Sequence, residues 1–308
     1  MCTFCPQDRL KQSYDKGGDK YMSLETFTVI LDKVPPDVRM DFSGMAEPWA
    51  NTNATKMLEM ALQRGRRVAI YTTLYGMSVE DSIHITETLI PRFEKQVDVV
   101  CLHMPDDNMN MRGYKGSDEY RQVLKNFLKM AKAGAFPAKK FKTMTMDKSG
   151  NVHSDLKDLL PHLAGWNGHS RAGSLGEKQI EKTGAVPPPH NEFSLLCAST
   201  PYYDHNVVLP NGDVALCCMD YALKHIIGNL LQSDYWSLFV SAELGRLRIE
   251  NQKKEFSKCS ICKQCGNVLE YDAEQNKIRG HGNQQQPKIH FKDVVSYVKR
   301  KAGSIIPK

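Results

Sequence analysis

The chain has 308 residues, enough for roughly two domains at about 150 residues each. Hydrophobic residues make up 41% and charged residues 25%, a globular balance that excludes a wholly disordered or fibrous chain. A net charge of +6 fits an acidic ligand or partner, but it is too diffuse to mark a nucleic-acid binder, and none is expected. No apolar run approaches the ~20 residues that cross a bilayer. Met1-Cys2-Thr3-Phe4-Cys5-Pro6 lacks the basic and apolar regions of a signal peptide. The expectation is a soluble, cytoplasmic protein with no membrane partner.

From Ser23 to about Met146 helical and strand patterns alternate. Ser23 can cap a helix bearing Phe27, Ile30 and Leu31, which Pro35-Pro36 ends. Val38 to Phe42 reads as a short strand closed by Ser43-Gly44. Met57, Leu58, Ala61 and Leu62 recur at helical spacing, with Gly65 as the stop. Val68 to Thr72 is β-branched and aromatic, a second strand. A helix around Ser78 to Leu89 ends near Pro91, and Val97 to His103 is a third strand. Tyr120, Val123, Leu124, Phe127, Leu128 and Ala131 share one helical face before Gly134, and Phe141 to Met146 is a fourth strand. Strands joined by helices imply right-handed crossovers and a parallel sheet, with chemistry at the strand C-terminal ends. The first helix has no strand before it, only a Cys-rich loop.

From about Gly150 to His190 the pattern loosens, with Gly165-Trp166-Asn167-Gly168 and Pro187-Pro188-Pro189 as linker punctuation. The segment from Asn191 to Asn267 reads as a small metal-stapled module. Gln284-Gln285-Gln286 marks a polar hinge. Phe291, Val294, Val295 and Val298 then give a last basic helix its apolar face, for docking on the main body or on a membrane or partner surface.

The nine cysteines carry the chemistry. Cys2 and Cys5 form C-x-x-C; Cys259, Cys262 and Cys265 form C-x-x-C-x-x-C; Cys197, Cys217 and Cys218 lie between them, and Cys101 sits alone in an apolar strand as a buried small hydrophobe. In a long chain without an export signal, thiols at such spacings are metal ligands more often than disulfide partners. Spacing alone does not separate zinc from an iron–sulfur cluster.

Cys2, Phe4 and Cys5 resemble the second half of the Cys-x-x-x-Cys-x-aromatic-Cys loop of radical S-adenosylmethionine (SAM) enzymes. The first cysteine of that motif would lie four positions before Cys2, so the expectation is a chain truncated at its N-terminus. Gly44-Met45-Ala46-Glu47-Pro48 resembles the same family's Gly-Gly-Glu-Pro loop, in which backbone and glutamate receive the SAM amino group. Ala46 replaces the second glycine, and its methyl crowds a close backbone approach. Thr72, Thr73 and His103 end the next two strands and could line that pocket.

Cys197, Gly212 and Cys217 follow the Cys-x(9–15)-Gly-x(4)-Cys opening of the SPASM extension found on many radical SAM enzymes. Leu209 to Val214 is also a β-hairpin with Asn-Gly at its turn. Ile227-Gly228-Asn229-Leu230, Trp236 and the closing cysteines resemble that extension too. With six cysteines rather than seven, one auxiliary [4Fe–4S] cluster is implied, held by Cys197, Cys217, Cys262 and Cys265 with Cys259 as competitor. Strand alternation would point Cys218 away from Cys217.

The resemblance implies an α/β fold: a partial (β/α)6 TIM-like barrel over 1–165 lacking its first strand, a linker over 166–190, a SPASM-like domain over 191–270, and hinge and helix over 271–308. It implies a SAM-binding [4Fe–4S] cluster on Cys2 and Cys5, SAM contacts at Phe4, Gly44, Glu47 and Pro48, and an auxiliary cluster. The implied reaction is reductive cleavage of SAM to a 5′-deoxyadenosyl radical that takes a hydrogen atom from a peptide or small-molecule substrate. A reductant such as flavodoxin or ferredoxin is expected. The alternatives are a catalytically impaired fragment that keeps only the auxiliary cluster, and a zinc-stabilised, non-catalytic binding protein.

Overall fold

The computed structural model describes residues 3–14, 18–166, 171–175, 181, 194–197, 199–200, 203–253, 260–272 and 277–279. Cys2, Cys259, the triple proline at 187–189, the glutamine hinge and the last basic helix lie outside them. The chain divides into two units: Met1–Cys5 with Asp19–Asn167, and Pro6–Gly18 with Gly168–Lys308.

In the first unit four strands pair in parallel in the order β1 (Met40–Phe42), β2 (Val68–Thr72), β3 (Val97–Met104) and β4 (Phe141–Thr145). This is the parallel α/β arrangement that the alternating pattern predicts. Val68, Ala69, Ile70, Val100 and Leu102 are fully buried, because helices cover the strands from outside. Beyond β4, Ala164 makes one parallel bridge to Met144.

The second unit's first helix, α1 (Gln7–Tyr14), precedes α2 (Leu24–Lys33) in the chain. Helix α2 begins where its sequence says it should: the Ser23 hydroxyl accepts from the Thr26 N–H at 3.0 Å. It buries Phe27, Ile30 and Leu31. The crossover helix α3 (Ala54–Gln63) stops before Gly65, which takes the left-handed φ of 75°.

The next crossover departs from expectation at Pro91. The helix does not end there: α4 (Val79–Ile83) widens into a π-helical stretch, His84–Leu89, and closes with α5 (Ile90–Arg92). A proline inside an α-helix clashes with the carbonyl four residues back. In the wider turn Ile90 N–H reaches back five residues to the Ile85 carbonyl, and the chain passes Pro91 without breaking. The third crossover, α6 (Asp118–Lys132), is capped by the Ser117 hydroxyl at Tyr120 N–H and buries Val123, Leu124, Phe127 and Met130.

Residues 150–163 are more ordered than their loose pattern predicts. Val152, Leu156, Leu160 and Leu163 join the core of the first unit. Their positions recur at helical spacing, but the backbone forms only a short 3₁₀ turn (Ser154–Leu156) there, so the segment packs as an ordered loop and not as the helix such spacing suggests.

Besides α1, the second unit holds two small antiparallel sheets. One is β6 (Val207–Val208), β7 (Asp213–Ala215) and β8 (Ile226–Asn229); the other pairs β5 (Ser194–Cys197) with β9 (Val268–Asp272) and β9 with β10 (Lys277–Arg279). The β6–β7 turn is the expected hairpin. Gly212 N–H bonds to Leu209 O at 2.9 Å, and Gly212 takes a φ of 85° that favours glycine. A helix, α7 (Ala242–Lys253), packs on β5 and β8.

Candidate functional site

In the first unit the loops leaving β1, β2 and β3 lie at the C-terminal ends of a parallel sheet, where such folds carry their chemistry. After β1, Gly44 adopts a φ of 120°, a conformation open at little cost only to glycine. Ala46 is exposed and is not among the described residues with positive φ, so its methyl costs the backbone nothing. Glu47 precedes the short turn Pro48–Ala50 and accepts from Trp49 N–H at 3.3 Å.

The same carboxylate braces the next loop. Its Oε1 accepts from the Thr72 hydroxyl at 2.6 Å, and its Oε2 accepts from both Thr73 N–H and the Thr73 hydroxyl at 2.7 Å. The Thr72 hydroxyl oxygen accepts from Leu74 N–H at 2.8 Å, and Leu74 is held at a φ of 63°. The Tyr120 hydroxyl, from α6, donates to Thr73 O at 3.0 Å. Burial pushes the Glu47 carboxyl above the ordinary range, and the hydrogen bonds from Thr72, Thr73 and Trp49 pull it only part of the way back. Four donors occupy the lone pairs of one carboxylate.

A second brace holds the C-x-x-C loop. Thr3 N–H donates to Asn110 O at 2.7 Å. Asn110 is fixed in turn by Asp106, whose Oδ1 accepts from Asn110 N–H at 3.3 Å and from its side-chain amide at 3.2 Å. Asp106 Oδ2 is buried, and no donor among the described residues reaches it. Burial, the larger effect, raises the Asp106 carboxyl despite the hydrogen bonds from Asn110 and Asn108. Phe4 is buried with its ring edge-on to Trp166 at 4.6 Å, while Cys5 is half-buried. Asp106 and Asn110 were not visible as site residues in the motif reading; their signal is an acidic, turn-rich stretch two residues past the end of a strand. His103 stays within β3, its ring 6.4 Å from that of Tyr71.

In the second unit Cys197 ends β5, and its sulfur accepts from Thr200 N–H at 3.4 Å. Cys217 and Cys218 follow β7, which stops at Ala215, so strand alternation does not govern where their thiols point. Cys262 opens a 3₁₀ turn that ends before Cys265. Ionisation of Cys217 is opposed first by burial and then by nearby Cys218, Cys262 and Cys265, and that of Cys197 by burial and then by Cys218 and Asp204. Cys262 and Cys265 both feel Cys197. Burial is the main cause that lifts Cys262 and Cys265 to about 12 and Cys217 well above the ordinary thiol value. For Cys218 the positive charge of Arg171 offsets part of the rise. Burial opposes the thiolate form that ligation needs, so a bound cation or cluster would have to stabilise these sulfurs. Among the described residues, no three His, Cys, Asp or Glu side chains are drawn together as a ligand set for a metal ion. Cys101 is buried in β3 with its thiol pushed up by burial to about 11, and it takes no part.

Residues 197–266 match the family profile of the SPASM iron–sulfur cluster-binding domain. This segment is similar to SPASM domains. The fold of the chain is similar to that of BtrN in complex with AdoMet and 2-DOIA, with a TM-score of 0.51 at 17% identity over 86% of this chain and 87% of that one. Histidine-tagged anSMEcpe with bound AdoMet is also similar in part, with a TM-score of 0.46 at 13% identity over 92% and 87% of the two chains. No curated protein matches the chain. The profile match thus bears on residues 197–266, and the likeness to BtrN on the mixed α/β fold with its parallel four-stranded sheet. Among the described residues no helix is long and apolar enough to cross a membrane.

Proposed function

We propose that the chain is a radical SAM enzyme whose parallel sheet belongs to a partial (β/α)6 barrel and whose SPASM domain holds one auxiliary [4Fe–4S] cluster. The observation that carries the reading is that the C-x-Φ-C loop and Glu47 of the Gly-x-x-Glu-Pro loop are both braced onto loops at the C-terminal edge of one parallel sheet. Cys2 and Cys5 would hold the SAM-binding cluster; Cys197, Cys217, Cys262 and Cys265, with Cys259 as competitor, would hold the auxiliary one. When bound, the SAM-binding cluster would supply the electron for cleavage of SAM to methionine and a 5′-deoxyadenosyl radical, which takes a hydrogen atom from a peptide or small-molecule substrate, and the auxiliary cluster would accept or relay an electron or help to hold substrate.

The protein's own part is to bind, orient and exclude water. Glu47 would receive the SAM ammonium once the Thr72 or Thr73 hydroxyl turns aside, and that cation would offset the burial cost of the carboxylate. Gly44 and Pro48 shape the turn that carries it. The buried Asp106 Oδ2 suits a ligand hydroxyl or ammonium. Phe4 and Trp166 shield the C-x-x-C loop from water. A cytoplasmic setting with flavodoxin or ferredoxin as reductant completes the reading.

Anaerobic purification tests it. A brown protein with near-equal iron and sulfide is expected, and a colourless protein holding only stoichiometric zinc would sink the proposal. The radical step is tested in a chain with a cysteine placed four positions before Cys2. Adding SAM and dithionite should release 5′-deoxyadenosine; SAM binding without product would refute it.

A further inference from the structure

His225 lies in the second unit between the two thiol-bearing segments, and its side chain is 0% exposed. Each of its polar groups is used. Its backbone carbonyl accepts from Leu216 N–H at 2.9 Å, directly before Cys217. Its backbone N–H donates to Asp220 Oδ2 at 2.8 Å, and Asp220 N–H in turn closes the turn on Cys217 O at 3.2 Å. Its ring Nε2 accepts from Ile261 N–H at 3.3 Å, directly before Cys262. Since Nε2 is an acceptor, the ring proton sits on Nδ1 and is donated to Glu243 Oε1 at 2.6 Å. Glu243 stands in the first turn of α7, where Arg246 grips it at 2.6 and 3.2 Å. One buried residue therefore ties Leu216 to Ile261 and both to a helix.

We propose that His225 is the positioning residue that fixes the backbone entering the Cys217–Cys218 turn against the backbone entering the Cys262–Cys265 turn before a cluster is inserted. The proposal rests on the reading that the SPASM domain binds a cluster. Ile261 is the residue from which the Cys262 turn starts, since Gln264 N–H bonds to its carbonyl at 3.1 Å. Anchoring its N–H fixes the origin of that turn. Nothing in the His225 contacts calls for it to touch the cluster itself; it acts through the backbone next to two cysteines. Groups in this outer position orient metal ligands, and their loss weakens metal affinity even when every ligand remains.

Two substitutions separate the ring's two bonds. His225→Gln can place a carbonyl oxygen where Nε2 was and so keep an acceptor for Ile261. His225→Asn keeps a donor toward Glu243 but reaches no farther. Both are compared in the full chain carrying Cys5→Ala, so that the iron counted belongs to the second unit. The expected result is loss of iron to a chelator about 10-fold faster in His225→Asn, with a changed low-temperature EPR signal of the reduced cluster, and near-parental behaviour in His225→Gln. Amide exchange at Ile261 in the apo chain should be protected in the parent and in His225→Gln but fast in His225→Asn. Equal cluster retention and equal protection in all three chains would overturn the proposal. So would equal loss in both variants, because the acceptor to Ile261 would then not matter. A parent chain that binds no iron refutes the cluster reading instead, while the Ile261 exchange still decides whether His225 positions the turn. Circular dichroism and melting of each apo chain are read beside these, and a His225→Asn chain that loses its fold together with its iron would overturn the proposal, because His225 would then hold the whole unit rather than position one turn.

Discussion

Glu47 accepts two hydrogen bonds from Thr73, one from its N–H and one from its hydroxyl, each at 2.7 Å. The bonds span 26 residues and lock the loop after β1 to the loop after β2. In Glu47→Ala the Thr73 and Trp49 N–H groups lose their acceptor, and the freed hydroxyls have only each other or water. The expected cost is about 2–4 kcal/mol, from about 1–3 kcal/mol for each buried group left unpaired. Urea unfolding would show it as a lower midpoint with unchanged slope. The pH dependence has a definite sign. The folded chain holds the Glu47 proton more tightly than the unfolded one, so this residue's contribution is greatest below the ordinary carboxylate value and declines as pH rises through the raised folded value. Glu47→Gln should lack that decline; a parallel pH profile in both chains would contradict the shift.

Gly76 offers a test of how closely the same two loops approach. It has a φ of 82°, and a Cβ there would lie 2.5 Å from the Trp49 carbonyl oxygen. Gly65 has a φ of 75° with nothing within 4 Å. Both alanine substitutions incur the left-handed backbone cost of about 1–2 kcal/mol. Gly76→Ala must also push the Pro48–Ala50 turn, and with it Trp49 N–H, away from Glu47. It should therefore destabilise by clearly more than Gly65→Ala, and equal melting temperatures in the two variants would show that the approach is not tight.

The parts of this chain that depend on local pattern were readable from sequence. The Ser23 cap, the strand Val68–Thr72 and the Asn-Gly hairpin all follow from a few adjacent residues, and the structure has them where expected. The two motifs also lie where a parallel sheet keeps its chemistry. What sequence could not show is partnership across distance. Thr73 is 26 residues from Glu47, and Ile261 is 36 from His225, so neither bond leaves a period or a spacing to detect. The π-helical stretch fails differently: Pro91 is a stop signal by every local rule, and one widened turn removes the clash on which that rule rests.

Asp106→Asn separates stability from ligand binding. An asparagine can keep its Oδ1 on Asn110 and replace the buried, partnerless Oδ2 with an amide group, which removes a desolvated charge. The melting temperature should hold or rise. If the first unit uses that oxygen to receive a ligand donor, AdoMet affinity measured by calorimetry should fall roughly 10-fold, about 1.4 kcal/mol. Unchanged affinity with unchanged stability would remove Asp106 from the binding surface. Asn110→Ala should instead loosen the Thr3 end of the C-x-x-C loop and lower iron loading there, because Asp106 then grips that loop through the backbone N–H of residue 110 alone.

Glu243 gives the second unit a pH dependence of the opposite sign to that of Glu47. Burial alone would raise its carboxyl, but hydrogen bonds from Arg246 and His225 outweigh burial and hold it below the ordinary carboxylate value of 4.5. A depressed folded-state value means that its contribution is fully present above the ordinary value and is lost as pH falls through the lowered one. Glu243→Gln keeps an oxygen for the His225 Nδ1–H but gives up the charge that Arg246 grips at 2.6 Å. The stability gap between parent and variant should therefore be constant near neutrality and close on acidification. Arg246 is 39% exposed, so part of the attraction is screened, and added salt should narrow the gap at neutral pH. A gap that persists in acid, or that ignores salt, would mean Glu243 acts by shape and hydrogen bonding alone, with its charge contributing nothing to the turn that carries Cys262.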